Sequence, residues 1–291
     1  MYTQHQQGSA LKQVIKLLPV TLFCLTFSNI SYANDSTDME AMSPEREEGF
    51  SADIGLSLSS SPYYKGAKDG SVNLFLDGAF YWQKNDSILY WESFDINDTG
   101  IGWRYLKRSD WQIDTSIRHE TVLPKSHTEN AGIDNFPHRG SHIFTSVESK
   151  HILNNNWIDW ASVKLSFGPS NYGWLSEAAI GHTAKHTGLF NSHSNASTSI
   201  RIFTSFASAE HLDNYFGVSE SDSSSSGLPS IHFKSGYRST GLEASHSQNI
   251  RSNIKLLATI GVENYASKVK ESELVSKGLE SKFDLSVVWL F

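Results

Sequence analysis

The chain has 291 residues, a formal charge of −7, 38% hydrophobic residues and 12% aromatic residues. That acidic balance offers no basic footprint for a nucleic acid. The single cysteine, Cys24, excludes an internal disulfide framework.

The first 33 residues read as a cleavable signal peptide. Lys12 and Lys16 supply positive charge, Leu17 to Phe27 form a short apolar run, and Ser31-Tyr32-Ala33 places small residues where a signal peptidase cuts. The run is well short of the roughly 20 residues that span a bilayer as a helix. Phe23 precedes Cys24 where a lipoprotein site wants a small residue, so lipidation is not expected. Cleavage after Ala33 removes two lysines, the cysteine and no acid, leaving a chain more acidic still and without a thiol nucleophile. Residues 34–49 follow with Asp35, Asp38, Glu40, Glu45, Glu47 and Glu48 and few apolar side chains. They are expected to be an acidic, flexible lead-in.

From residue 50 to 291 the sequence becomes a succession of segments with period two. Strands are predicted at 50–60, 72–82, 88–95, 99–106, 111–120, 141–153, 157–167, 174–186, 197–208, 231–247, 254–265 and 278–291. In 72–82, Val72, Leu74, Leu76, Phe80 and Trp82 oppose Asn73, Asp77 and Tyr81. In 111–120, Trp111, Ile113 and Ile117 oppose Asp114, Ser116 and Arg118. Val163, Leu165 and Phe167 oppose Lys164, and Ile254, Leu256, Ile260 and Val262 oppose Lys255 and Glu263. Charge thus falls on the face away from the apolar row, the lipid-out and water-in pattern of a membrane barrel. The segments approach the ~9–11 residues that a tilted strand needs to cross.

Twelve is an even number, so both ends fall on one side of the membrane. Turns on that side should be short, as at 84–86, 108–110, 154–156 and 249–251. The other side receives 61–71, 121–140, 209–230 and 266–277. The connections 187–196 and 96–98 break this asymmetry without erasing it. The last strand places Phe283, Leu285, Val287, Trp289 and Phe291 on one face and ends on an aromatic carboxylate, which looks like an outer-membrane insertion signal. A soluble all-β sandwich also alternates, but nothing requires its outer faces to end in aromatic rims. The predicted fold is therefore an all-β transmembrane antiparallel barrel of about 12 strands.

Residue chemistry points to no enzyme. Ser and His pairs such as Ser245 and His246 occur, but there is no Gly-x-Ser-x-Gly elbow. His182 and His186 have the spacing of a zinc pair on a helix, yet four residues along a strand are about 13 Å apart, too far for one ion. They are read as polar lumen or rim histidines, while His127 and His138 fall in the long 121–140 connection. Trp82, Trp91, Trp103, Trp111, Trp157 and Trp174 fall mostly near strand ends and are read as interface anchors. Asp77, Asp114, Arg118, Lys164, Lys255 and Glu263 are the candidate lumen charges, lining a wet path or pairing into a plug. Ser223 to Ser226 is read as a flexible loop tip and Gly227-Leu228-Pro229 as a turn. The other reading of 209–230 is a docking or lumen-folding loop.

Two stretches carry a family resemblance. Pro62-Tyr63-Tyr64-Lys65-Gly66 looks like a Pro-x-Tyr-x-Gly loop after a first barrel strand. Tyr215-Phe216-Gly217-Val218-Ser219, followed by Ser226-Gly227-Leu228-Pro229, resembles the Tyr-Phe-Gly-Val-Ser … Ser-Gly-Leu-Pro signature of the MipA/OmpV family of outer-membrane proteins. The likeness is strongest over 214–291 and weakest in 121–140 and 187–196, and Glu220 to Ser226 is more polar than in relatives. The resemblance implies an outer-membrane barrel with no cofactor and no catalytic residues. It also implies a scaffold role, because the founding member is described as bringing a lytic transglycosylase together with a bifunctional penicillin-binding protein. A narrow channel or uptake porin and a surface adhesin are the alternatives.

Overall fold

The computed structural model describes residues 48–62, 65–67, 70–95, 98–107, 110–123, 136–137, 139–153, 157–188, 195–276 and 278–291. The expected signal peptide (1–33), nearly all of the acidic lead-in, Tyr63, Tyr64, His127, His138 and most of 121–140 lie outside these residues.

Twelve strands form one closed antiparallel barrel, each paired with its neighbours in the chain. They are β1 (Gly49–Pro62), β2 (Gly70–Lys84), β3 (Ser87–Asp95), β4 (Asp98–Lys107), β5 (Trp111–Leu123), β6 (Arg139–Ile152), β7 (Trp160–Phe167), β8 (Trp174–Thr187), β9 (Asn195–Ala207), β10 (Gly236–Arg251), β11 (Ile254–Tyr265) and β12 (Leu279–Leu290). Closure pairs β1 with β12, setting Ile54, Leu56 and Leu58 opposite Trp289, Val287 and Leu285. Beyond β12, Phe291 exchanges both backbone hydrogen bonds with Ala52, at 3.1 and 2.9 Å, so the last residue finishes the seam. Lipid offers no partner to a backbone N–H, which is why the sheet has no open edge.

The outer surface is the apolar one. Leu76 is 75% exposed, Leu74 67% and Ile143 60%, which is tolerable only where the surrounding solvent is hydrocarbon. Aromatics gather at its two margins, as expected of interfacial belts. On the short-turn side they are Phe50, Trp82, Trp103, Trp111, Trp289 and Phe291. On the long-loop side Phe167 pairs with Trp174, and Phe206 meets Tyr237 edge to face.

The inward face is polar but also carries rings laid over glycines. Tyr90 covers Gly102, Trp160 covers Gly181 and Phe203 covers Gly241, so closely that a Cβ on any of these glycines would strike the ring. Small polar pairs knit adjacent strands lower on the wall, including Ser57 with Ser286 at 2.6 Å and Ser116 with Ser146 at 2.7 Å.

Several predicted boundaries move. β10 starts at Gly236, not 231, because Ile231 is held by Val218 through an isolated bridge outside the barrel wall. It runs on to Arg251, so the turn predicted at 249–251 instead falls at Ser252-Asn253, after a register shift between Asn249 and Arg251. A second shift, between Tyr237 and Ser239, turns both Arg238 and Ser239 inward, where they are 4% and 0% exposed.

The long-loop mouth is filled. The β9–β10 connection forms two helices, α1 (Ala209–Phe216) and α2 (Glu220–Ser226). The β11–β12 connection contains a short 3₁₀ turn, Val269–Glu271. Phe216, Val218, Val269 and Leu274 from these two loops are fully buried together, joined by Leu212, Tyr215, Tyr265, Phe144 and Tyr172. A membrane barrel thus holds a small conventional hydrophobic core across one end. The reading of 223–226 as a flexible loop tip is corrected. Ser219 and Asp222 form a reciprocal capping box that nucleates α2, and Gly227 closes it in the left-handed conformation at φ 76°.

Candidate functional site: a plugged lumen

The plug is positioned by the ends of α1. At its start, the Ser208 hydroxyl accepts from His211 N–H at 3.2 Å. At its end the last carbonyls of a helix have no internal partner, and here Arg139, the first residue of β6, supplies the donors. Its guanidinium donates to the carbonyls of Asp213 (2.7 Å), Asn214 (2.5 Å) and Gly217 (2.8 Å) and to Asp222 Oδ2 (3.1 Å). A cation is also the favourable charge at a helix C-terminus. Further ties reach two other connections and the later part of α1's own. Asn214 Nδ2 donates to Asn171 O at 2.6 Å, the Ser272 hydroxyl to Phe216 O at 2.5 Å, and Phe233 N–H to Asp213 Oδ1 at 2.7 Å.

The signature residues now have physical roles. Tyr215 and Phe216 are plug core. A Cβ at Gly217 would meet the Asp213 carbonyl and Cα closely. Leu228 packs on the core, and Pro229 is exposed beside it. Pro62 ends β1. Gly66, at φ +89°, donates to Glu280 Oε2 at 3.1 Å and accepts from Ser276 N–H at 3.0 Å, binding the β1–β2 turn to the start of β12 and to the β11–β12 loop.

Below the plug, the predicted lumen charges spread around the wall, and of them Arg118 and Lys164 reach one common cavity. Asp77 accepts from Ser57 at 2.5 Å. Asp114 accepts from Tyr90 at 2.5 Å and from Arg104 at 2.8 Å. Arg118 faces Glu92 at 3.7 Å. Lys164 sits in register between Glu148 and Glu177. Glu263 holds Arg238 at 2.9 Å. Lys255 lies apart near the short-turn end, in register with Asn249 and Val288. A further chain of ions was not anticipated from sequence: Glu177, Arg201, Glu243 and Lys282 follow one another at 3.2, 3.0 and 2.5 Å. Much of the fixed charge in this lumen is therefore paired across strands.

Between plug and wall remains a cavity of about 150 Å³, reached by Lys65, Arg118, Lys164, Glu177, His211 and Arg238. Burial, then the neighbouring Arg238 and Lys65, press the His211 imidazole down to about 3. Histidines elsewhere are bound locally. His182 meets Asp159 at 2.9 Å, while His186 stacks on His246 at 5.5 Å with Thr198 bonded to both.

Arg139 escaped the sequence reading because nothing local marks it: its partners lie 74 to 83 residues on. α1 did leave a signal, since His211, Leu212, Tyr215 and Phe216 recur at helical spacing.

A closed twelve-stranded barrel with an apolar exterior, two aromatic belts and a polar interior defines an outer-membrane β-barrel protein. Residues 54–291 match the family model described as MltA-interacting protein MipA, and the chain belongs to that family. No curated protein matches it in sequence. Among solved structures it is similar to an outer membrane channel from Pseudomonas putida F1, at 10% identity and TM-score 0.44, covering 89% of this chain and 100% of that one. It is also similar to the NanC porin, at 8% identity and TM-score 0.40, covering 82% and 98%. OmpF of Salmonella typhi gives 8% identity and TM-score 0.35 over 83% and 97%.

Proposed function

We propose that this protein is a non-conducting, non-catalytic outer-membrane scaffold, exported by a signal peptide cleaved after Ala33. In this reading it holds a lytic transglycosylase and a bifunctional penicillin-binding protein at its periplasmic side during cell-wall remodelling. The supporting observation is the filled mouth: Phe216, Val218, Val269 and Leu274 are at most marginally exposed, and Arg139 ties four acceptors of the plug to the wall. An open solute path has no use for such a core, whereas a barrel kept as a rigid platform does. Family membership supports the choice of partners.

The second reading is a small-solute channel that opens by displacing the plug, favoured by the cavity with charged lining beneath α1. Planar-bilayer recording combined with pull-down of a lytic transglycosylase separates the two. Silence with capture of the transglycosylase supports the scaffold. Steady current from the wild-type protein, without capture, refutes it.

A further inference from the structure

We propose that the cavity beneath the plug is a binding site for a small oxyanion of the phosphate or carboxylate kind. The inference is independent of the scaffold role and concerns this chain's own residues.

Four cationic side chains and a single carboxylate line the cavity. Lys65 enters from the β1–β2 turn, Arg118 from β5, Lys164 from β7 and Arg238 from β10; Glu177 of β8 is the carboxylate. Glu177 is engaged elsewhere, by Arg201 at 3.2 Å. Further carboxylates stand behind the cations: Glu263 holds Arg238 through Nη1 at 2.9 Å, Glu92 faces Arg118 at 3.7 Å, and Glu148 is in register with Lys164. These contacts leave Arg238 Nε and His211 Nδ1, buried atoms of cavity-lining residues, without a hydrogen-bond partner among the described residues. Arg238 is 4% exposed and His211 3%. A buried guanidinium N–H with no acceptor is a costly arrangement, and an anion removes that cost. The ring of His211 can turn donor in the same event. Burial first, and then the neighbouring Arg238 and Lys65, keeps this ring neutral in the absence of an anion.

Size narrows the ligand. At ~30 Å³ per water-sized group, the volume of about 150 Å³ admits about five such groups. Phosphate, sulfate or acetate fits within that volume. The contacts come from four strands or connections and the plug, so the bound ion would bridge plug and wall.

The test is calorimetric titration of inorganic phosphate into the refolded full barrel in detergent. Saturable binding below about 1 mM is expected for the wild type. Binding at least about tenfold weaker is expected for Lys164→Gln, which leaves the plug core untouched, and for His211→Ala, each losing one charge-assisted contact. Lys268→Gln, on the exposed surface, should bind as the wild type does. In NMR titrations, phosphate should raise the pH at which the His211 ring protonates. Absence of saturable heat in the wild type, or equal affinity in the wild type and in Lys164→Gln, overturns the site.

Discussion

Replacing Arg139 by alanine is the sharpest perturbation of the plug. Three main-chain carbonyls and one carboxylate each lose a donor at once, although the Asp213 carbonyl keeps Gly217 N–H and Asp222 keeps Ser219 N–H. At ~1 kcal/mol for each carbonyl and ~2 kcal/mol for the charged partner, the gross loss is about 5 kcal/mol. Water reaching the rim recovers part of it, leaving roughly 2–4 kcal/mol against docking of α1. Since 1.4 kcal/mol is a factor of ten, the undocked population should rise by roughly one and a half to three orders of magnitude. Hydrogen exchange of the amides in 209–217, followed by mass spectrometry in detergent or nanodiscs, reads this directly. Protection should fall by about that factor in Arg139→Ala and by less in Arg139→Lys, which keeps the charge but loses the planar fork. Intermittent current in planar bilayers should accompany it. Unchanged exchange across α1 in Arg139→Ala would refute the assignment of Arg139 as the latch.

Acid should loosen the same region. Because the His211 ring protonates near 6.5 when unfolded but only near 3 when folded, the unfolded state binds the extra proton between those values. Stability is therefore fully present above about 6.5 and declines as the pH falls toward 3; thermal melts should show that slope reduced in His211→Gln. Gly241→Val drives a side chain into the Phe203 ring and should destabilise the barrel by about 1–3 kcal/mol in urea titrations from lipid vesicles. Leu76→Arg, on the lipid face, should cost about 2–4 kcal/mol in the same assay. Removing Phe291 deletes both hydrogen bonds to Ala52, and the heat-modifiable folded band on gels should weaken severalfold.

Strands were legible wherever one face meets hydrocarbon and the other does not, because that demand repeats every second residue. Val72 to Trp82 and Trp111 to Arg118 carry it openly. Asp77, Asp114, Arg118, Lys164 and Glu263 could be assigned inward on the same ground. Arg104, Arg201 and Lys282 could not be matched to partners, since pairing depends on register between strands and not on order along one. The plug was harder. An eight-residue helix such as α1 draws its stability from packing rather than propensity. α2, rich in serine, is set by its caps at Ser219 and Gly227. The boundary at 231 failed because Ile231 alternates like a strand residue while pairing with Val218.

The bonds linking Gly66 to Glu280 and Ser276 join the first connection of the barrel to the start of β12 and to the last connection, 214 and 210 positions away in the chain. They straddle the junction of β1 and β12, so they can form only after the two ends of the sheet have met. Closing the ring therefore also ties the β1–β2 turn to the loop that carries Val269 and Leu274 of the plug core.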